Sequence, residues 1–136
     1  MRALVCDHWC DYNDLTVRDF PAPELRPGTV RVRVEAAGVS YSTQIVVAGK
    51  YQRKPPLPFV PGTDIAGTVI EAAPDVQGLP PGTRVFAPVD WGGSAEQAVV
   101  DAIHATVLPD GLDLAASAAL PVSYSTAASA LMWRAR

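Results

Sequence analysis

KPPLPFVPG, residues Lys54 to Gly62, runs directly into TDIAGTVIEAA, residues Thr63 to Ala73, and the reading of this junction decides the fold. Four prolines in nine residues exclude a helix interior and a central strand, so the first half is a rigid loop. The second half is strand-like from Asp64 to Ala73, with Gly67 marking a bulge or a close backbone approach. Working upstream, GTVRVRVEAAG from Gly28 to Gly38 alternates Val30, Val32 and Val34 with Arg31, Arg33 and Glu35, one face buried and one solvated. Ser40 to Val47 loses that alternation and predicts a short helix, capped by Ser40 or Ser42 and closed by Gly49. Further upstream, Arg2 to Cys6, the Asp- and Asn-rich turn Asp11 to Asp14, and Leu15 to Phe20 predict a hairpin, followed by the Pro-rich stretch Pro21 to Pro27.

Downstream, the turn PPGT at Pro80 to Thr83 leads into a strand at Arg84 to Ala87, and further strands are predicted at Ser94 to Val100 and His104 to Leu108. Asp113 is a helix cap for Leu114 to Leu120; after Pro121, Val122 to Ala135 has a strongly helical Ala, Leu and Met composition. Many short strands with Gly and Pro turns, then helices, predict a mainly β domain with short helices, barrel-like and ending in a helical extension.

Composition narrows the function classes. The chain has 136 residues, 49% hydrophobic and 18% charged, with 10 glycines and 13 prolines, which is a globular and turn-rich balance. A formal net charge of −3 gives no electrostatic footprint for nucleic acid or anionic lipid. No apolar run approaches the ~20 residues that span a bilayer, and no leader pattern is read before the fold, so the expectation is a cytoplasmic protein with no membrane partner. The only cysteines, Cys6 and Cys10, cannot make a disulfide framework. With His8 they lie on one face of a strand, but ligands spaced ~6 to 7 Å apart do not share one ion, so no metal is expected there. Cys6 is read as a small buried hydrophobe and His8 as a rim residue. A complete enzyme with separate nucleotide and substrate domains needs on the order of 250 to 350 residues.

Taken in order, RVRVEAAGVSYST (Arg31 to Thr43), KPPLPFVPGTDIAGTV (Lys54 to Val69), PPGTRVFA (Pro80 to Ala87), GGSAEQAVV (Gly92 to Val100) and LPDGLDLAASAALPVSYSTAASAL (Leu108 to Leu131) cover nearly the whole chain. This series resembles the N-terminal catalytic domain of the medium-chain dehydrogenase/reductase family, and PPLPFVPG and LPVSYSTA resemble its zinc-independent, quinone oxidoreductase-like subfamily. The resemblance implies a GroES-like, partly open β-barrel over residues 1–120, with residues 121–136 as a connecting helix toward a nucleotide-binding domain. It also implies hydride transfer from NADPH to a quinone, enone or related conjugated carbonyl. Where zinc-containing relatives carry a cysteine and a histidine ligand, this chain has Ser40 and Thr63, followed by Asp64, and hydroxyls are poor zinc ligands.

By the same resemblance, Ser40 and Ser123, with Thr126 on the same helix start, would face the cofactor, and Tyr51 would line the substrate pocket and serve as hydrogen-bond donor or proton source; Trp91 in VDWGG is read as a candidate for the pocket rim and Tyr41, paired with Tyr124, as a further aromatic candidate for substrate binding. Each has a structural counterpart: Ser40 and Ser123 as helix caps, Tyr51 as a packing residue, Trp91 as cover over the barrel end. The dinucleotide fingerprint is missing, since PGT, PPGT and WGGS lack both the glycine spacing and the long helix that should follow. The chain is accordingly read as stopping at a domain boundary, on an arginine such as a trypsin-like cut leaves, and as inactive by itself. Its last helix is expected to pack on a nucleotide-binding domain or to self-associate through Ala127, Ala130, Leu131 and Trp133. The other reading is a free-standing GroES-like binding or assembly module without catalysis.

Overall fold

The Val/Arg alternation becomes the central strand of the molecule. In the computed structural model, which describes residues 1–135, β3 runs from Thr29 to Gly38 between β6 (Gln97–Asp101) and β4 (Asp64–Ala72). The sheet continues through β5 (Arg84–Pro88) to β7 (Thr106–Val107), giving five antiparallel strands in the order β6-β3-β4-β5-β7, not closed on itself. A separate hairpin pairs β1 (Arg2–Val5) with β2 (Thr16–Asp19), and the bridge between Ala3 and Ala95 ties it to the main sheet.

The buried face follows the pattern. Val30, Val32, Ile65, Val69, Val85 and Val100 form the main core, each at most 1% exposed. Burying one such side chain stabilises the fold by roughly 1.5–3 kcal/mol. On the opposite face Arg31 and Glu71, directly paired in the β3–β4 register, form an ion pair at 3.0 Å. Two smaller clusters sit under the hairpin: Ala3 and Val5 with Val60, and Cys6 with Val47 and Phe59. The Pro-rich loop is thus anchored through Val60 and Phe59, while its Leu57–Pro58 bond is cis. Gly67 lies opposite Val34 beside a register shift in β3, and a Cβ there would fall 2.0 Å from the Arg33 carbonyl oxygen.

Several boundaries differ from the sequence reading. The sixth strand begins at Gln97 rather than Ser94, because Ser94 and Glu96 donate their amides to Pro61 and Arg2. The last strand shrinks to Thr106–Val107, since residues 102–104 form a single 3-10 turn. Pro121 does not separate two helices. The helix α1 spans Tyr41–Val47, α2 Leu114–Ser117 and α3 Leu120–Ser129, with Pro121 inside the first turn of α3, where its lacking amide costs nothing. A π-helical turn, Ala130–Arg134, ends the described chain; Arg136, within the predicted connecting segment, lies outside the described residues.

Candidate functional site

Two stretches far apart in sequence, residues 53–63 and 89–94, meet beside the start of α3. Val89, Gly92, Gly93 and Ser94 donate their amides to the carbonyls of Thr63, Val60, Gly62 and Pro61 at 2.7–3.1 Å, so the WGGS loop is zipped along the Pro-rich loop. Gly62, with φ of +101°, permits this approach, and a Cβ there would sit 2.7 Å from the Ser94 amide nitrogen. Arg53 bridges to Asp90 through two bonds of 2.8 and 2.9 Å, tying the segment after Tyr51 to the same loop. The hydrogen bond to Asp90, then its charge, then the neighbouring Tyr51 hold the Arg53 guanidinium above its already high ordinary value.

These ties frame a cleft of about 550 Å³, whose walls include Ser42, Tyr51, Thr63, Trp91 and Val122. Tyr51 is half-buried and Trp91 is 40% exposed at the rim. Of the residues singled out in the sequence, Tyr51 and Trp91 line the cleft. Ser40 does not; it caps α1, its hydroxyl 2.8 Å from that of Ser42, 3.0 Å from that of Thr43, and accepting from the Thr43 amide. Ser42, which it holds, is the serine facing the cleft. Tyr41 is 77% exposed, on the helix but not among the lining residues. Ser123 and Thr126 are exposed on α3 immediately after Val122, three residues apart and therefore on one face.

The residue whose importance the sequence concealed is Asp64. It is 5% exposed, its Oδ1 accepts from the Val122 amide at 2.8 Å and its Oδ2 from the Thr63 hydroxyl at 2.9 Å. The first turn of α3 has no side-chain cap of its own, so a carboxylate from the start of β4 supplies it across 58 residues. A signal existed in the buried position of an Asp at a strand start, but its partner lies too far along the chain to be read locally.

At the other end, Cys6 is fully buried, and burial first, then the charge and hydrogen bond of Cys10 and the charge of Asp7, push its thiol up to about 11. His8 is exposed. Among the described residues no three His, Cys, Asp or Glu side chains gather to hold a metal ion, and no helix is long and apolar enough to cross a membrane.

Residues 26–110 match the alcohol dehydrogenase GroES-like domain model. Quinone oxidoreductase-like protein 2 of Rattus norvegicus is 38% identical over 135 residues, 99% of this chain and 38% of that protein. Among solved structures, the quinone oxidoreductase from Thermus thermophilus, solved also in its complex with NADPH, superposes with a TM-score of 0.82 at 34% identity, covering 97% of this chain and 40% of that one. The human synaptic vesicle membrane protein VAT-1 homolog-like protein superposes at 0.92 with 28% identity, covering 99% of this chain and 43% of that one. The chain thus spans less than half the length of the relatives it matches. It belongs to the alcohol dehydrogenase GroES-like domain family, as an N-terminal domain of the medium-chain dehydrogenase/reductase type similar to the quinone oxidoreductase-like members.

Proposed function

We propose that residues 1–120 are the substrate half of an NADPH-dependent oxidoreductase that delivers hydride to a quinone, enone or related conjugated carbonyl, and that residues 121–136 lead toward a nucleotide-binding domain. The observation that carries this reading is the convergence of Ser42, Tyr51, Thr63 and Trp91 on one cleft beside the N-terminal turn of α3. Such a cleft, with apolar walls from Val46, Val89 and Val122 beside hydroxyls and the charged groups of Arg53, Asp90 and Asp101, suits a small polar carbonyl compound.

The side chains suit the nicotinamide end of a dinucleotide and not its diphosphate. Ser42 on the wall and Ser123 and Thr126 on the adjoining helix face offer hydroxyls, whereas none of the turns at Gly62, Gly82 and Gly92 opens a helix among the described residues. The dinucleotide supplies the hydride when bound. This chain's part is to orient the carbonyl, exclude water along Trp91 and Val122, and donate a hydrogen bond from the Tyr51 hydroxyl to the oxygen that gains charge. Ser40 keeps α1 capped and so sets Ser42, a role that fits its hydrogen bonds better than direct cofactor contact. The reading includes a mechanism without zinc: the Ser40 hydroxyl is committed to the α1 cap and that of Thr63 to Asp64.

The test is to incubate the polypeptide that carries this domain with NADPH and benzoquinone or a short enone and follow oxidation of the nucleotide. Tyr51→Phe is expected to lower kcat by about a hundredfold, the lower range for a lost proton donor. Undiminished turnover removes Tyr51 from that role. Failure of every conjugated carbonyl with NADPH and NADH alike overturns the enzyme reading in favour of a binding module.

A further inference from the structure

A second cavity of about 480 Å³ opens on the other side of Trp91. Its walls include Met1, Phe20, Pro23, Pro56, Pro58 and Phe59, together with Glu24, Arg26 and Gln97. The two cavities are not independent, because Arg26, Trp91 and Val99 line both. Trp91 is therefore the partition between a hydroxyl-bearing cleft and an apolar one, and at 40% exposed it is not locked in the core. The second cavity has no cluster of nucleophilic or titratable groups for chemistry of its own. What it offers is apolar surface reached through the wall of the first.

We propose that the second cavity receives the apolar tail of the substrate whose carbonyl occupies the first, so that the protein selects conjugated carbonyls bearing an extended alkyl or isoprenoid-like chain over small ones. This rests on the carbonyl-reductase reading of the first cleft. The Pro-rich loop supplies Pro56 and Pro58 to the tail side and Pro55 to the head side, so one rigid segment shapes both. Prolines suit such a wall, since they present apolar rings with no amide left unsatisfied when a tail displaces water. Trp91 would lie along the tail where it leaves the carbonyl head.

The experiment titrates the chain with unreactive methyl ketones of increasing length, butanone, octanone and undecanone, following backbone amide shifts by NMR. The expected result is that butanone perturbs residues around Tyr51 and Thr63 alone, and that the longer ketones add perturbations at Phe20, Phe59 and Gln97. Affinity should rise by up to about fourfold for each methylene that becomes fully buried. Pro56→Asp, in an exposed loop position that lines only the second cavity, should abolish the gain with length and leave butanone binding unchanged; Gln97→Glu should act in the same direction. Butanone binding with no dependence on length overturns the tail site and leaves the carbonyl reading standing. A length dependence that survives both variants, with shifts along α3 instead, also overturns it. Absence of binding by every ketone overturns both readings together.

Discussion

Replacing Asp64 by alanine should detach α3 from the sheet without unfolding the sheet itself. The carboxylate makes two bonds, to the Val122 amide at 2.8 Å and to the Thr63 hydroxyl at 2.9 Å, and it is 5% exposed. Loss of a helix cap costs about 1 kcal/mol, and leaving a partly buried amide without its charged acceptor costs roughly a further 1–2 kcal/mol. The sum is about 2–3 kcal/mol, or a fall in Tm of roughly 6–12 °C for a chain of this size. Asp64→Asn keeps an acceptor for Val122, and its amide can donate to the Thr63 oxygen, so it should lose only about 1 kcal/mol. Urea unfolding gives both values, and native-state hydrogen exchange locates the loss: amides from Val122 to Thr126 should lose protection while those of β3 and β4 keep theirs. An alanine variant within about 0.5 kcal/mol of the parent, or an asparagine variant as damaged as the alanine one, would refute the clamp.

Gly67→Ala would place a methyl group 2.0 Å from the Arg33 carbonyl oxygen in the middle of the β3–β4 pair, so it should destabilise by at least about 3 kcal/mol in chemical denaturation. The Cys6 thiol, pushed up from an ordinary 9.0 to about 11, favours the protonated folded state. Its contribution is complete below pH 9.0 and is lost as pH rises toward about 11, which urea midpoints across that range will record. At roughly pH 8 only about one such thiol in a thousand is ionised, so iodoacetamide should label Cys6 far faster in denaturant than in buffer. The helix end exposes Leu131 at 72% and Trp133 at 73%, and sedimentation of the chain at about tens of micromolar is expected to show self-association that Trp133→Ala weakens. A monomer throughout would count against it.

The local rules were sufficient wherever the determining partners are near in sequence. Alternating Val30 and Val32, the Ser40 cap on the Thr43 amide and the Asp113 cap on the Ala116 amide are all read from neighbours within four residues. What escaped the sequence is set by distance. The start of β6 moved because the amides of Ser94 and Glu96 answer carbonyls of Pro61 and Arg2, and α3 began ahead of Pro121 because proline is compatible with a first turn. Likeness singled out Tyr51, and the VDWGG loop Trp91, and both line the cleft. The site was illegible for Ser42, Asp64 and the Arg53–Asp90 bridge, whose partners lie 37 to 58 residues away in the last two cases.

These long-range ties also explain why one side of the cleft is fixed and the other is open. The wall carrying Thr63 and Trp91 is held by four backbone hydrogen bonds between two loops, a geometry in which moving either residue requires breaking the zipper. The facing helix α3 is held to the sheet near its first turn, by one carboxylate and the burial of Pro121, while from Ser123 onward its side chains are largely exposed. The cost of ordering α3 therefore falls on the helix itself and on whatever packs against its exposed face, not on the β domain.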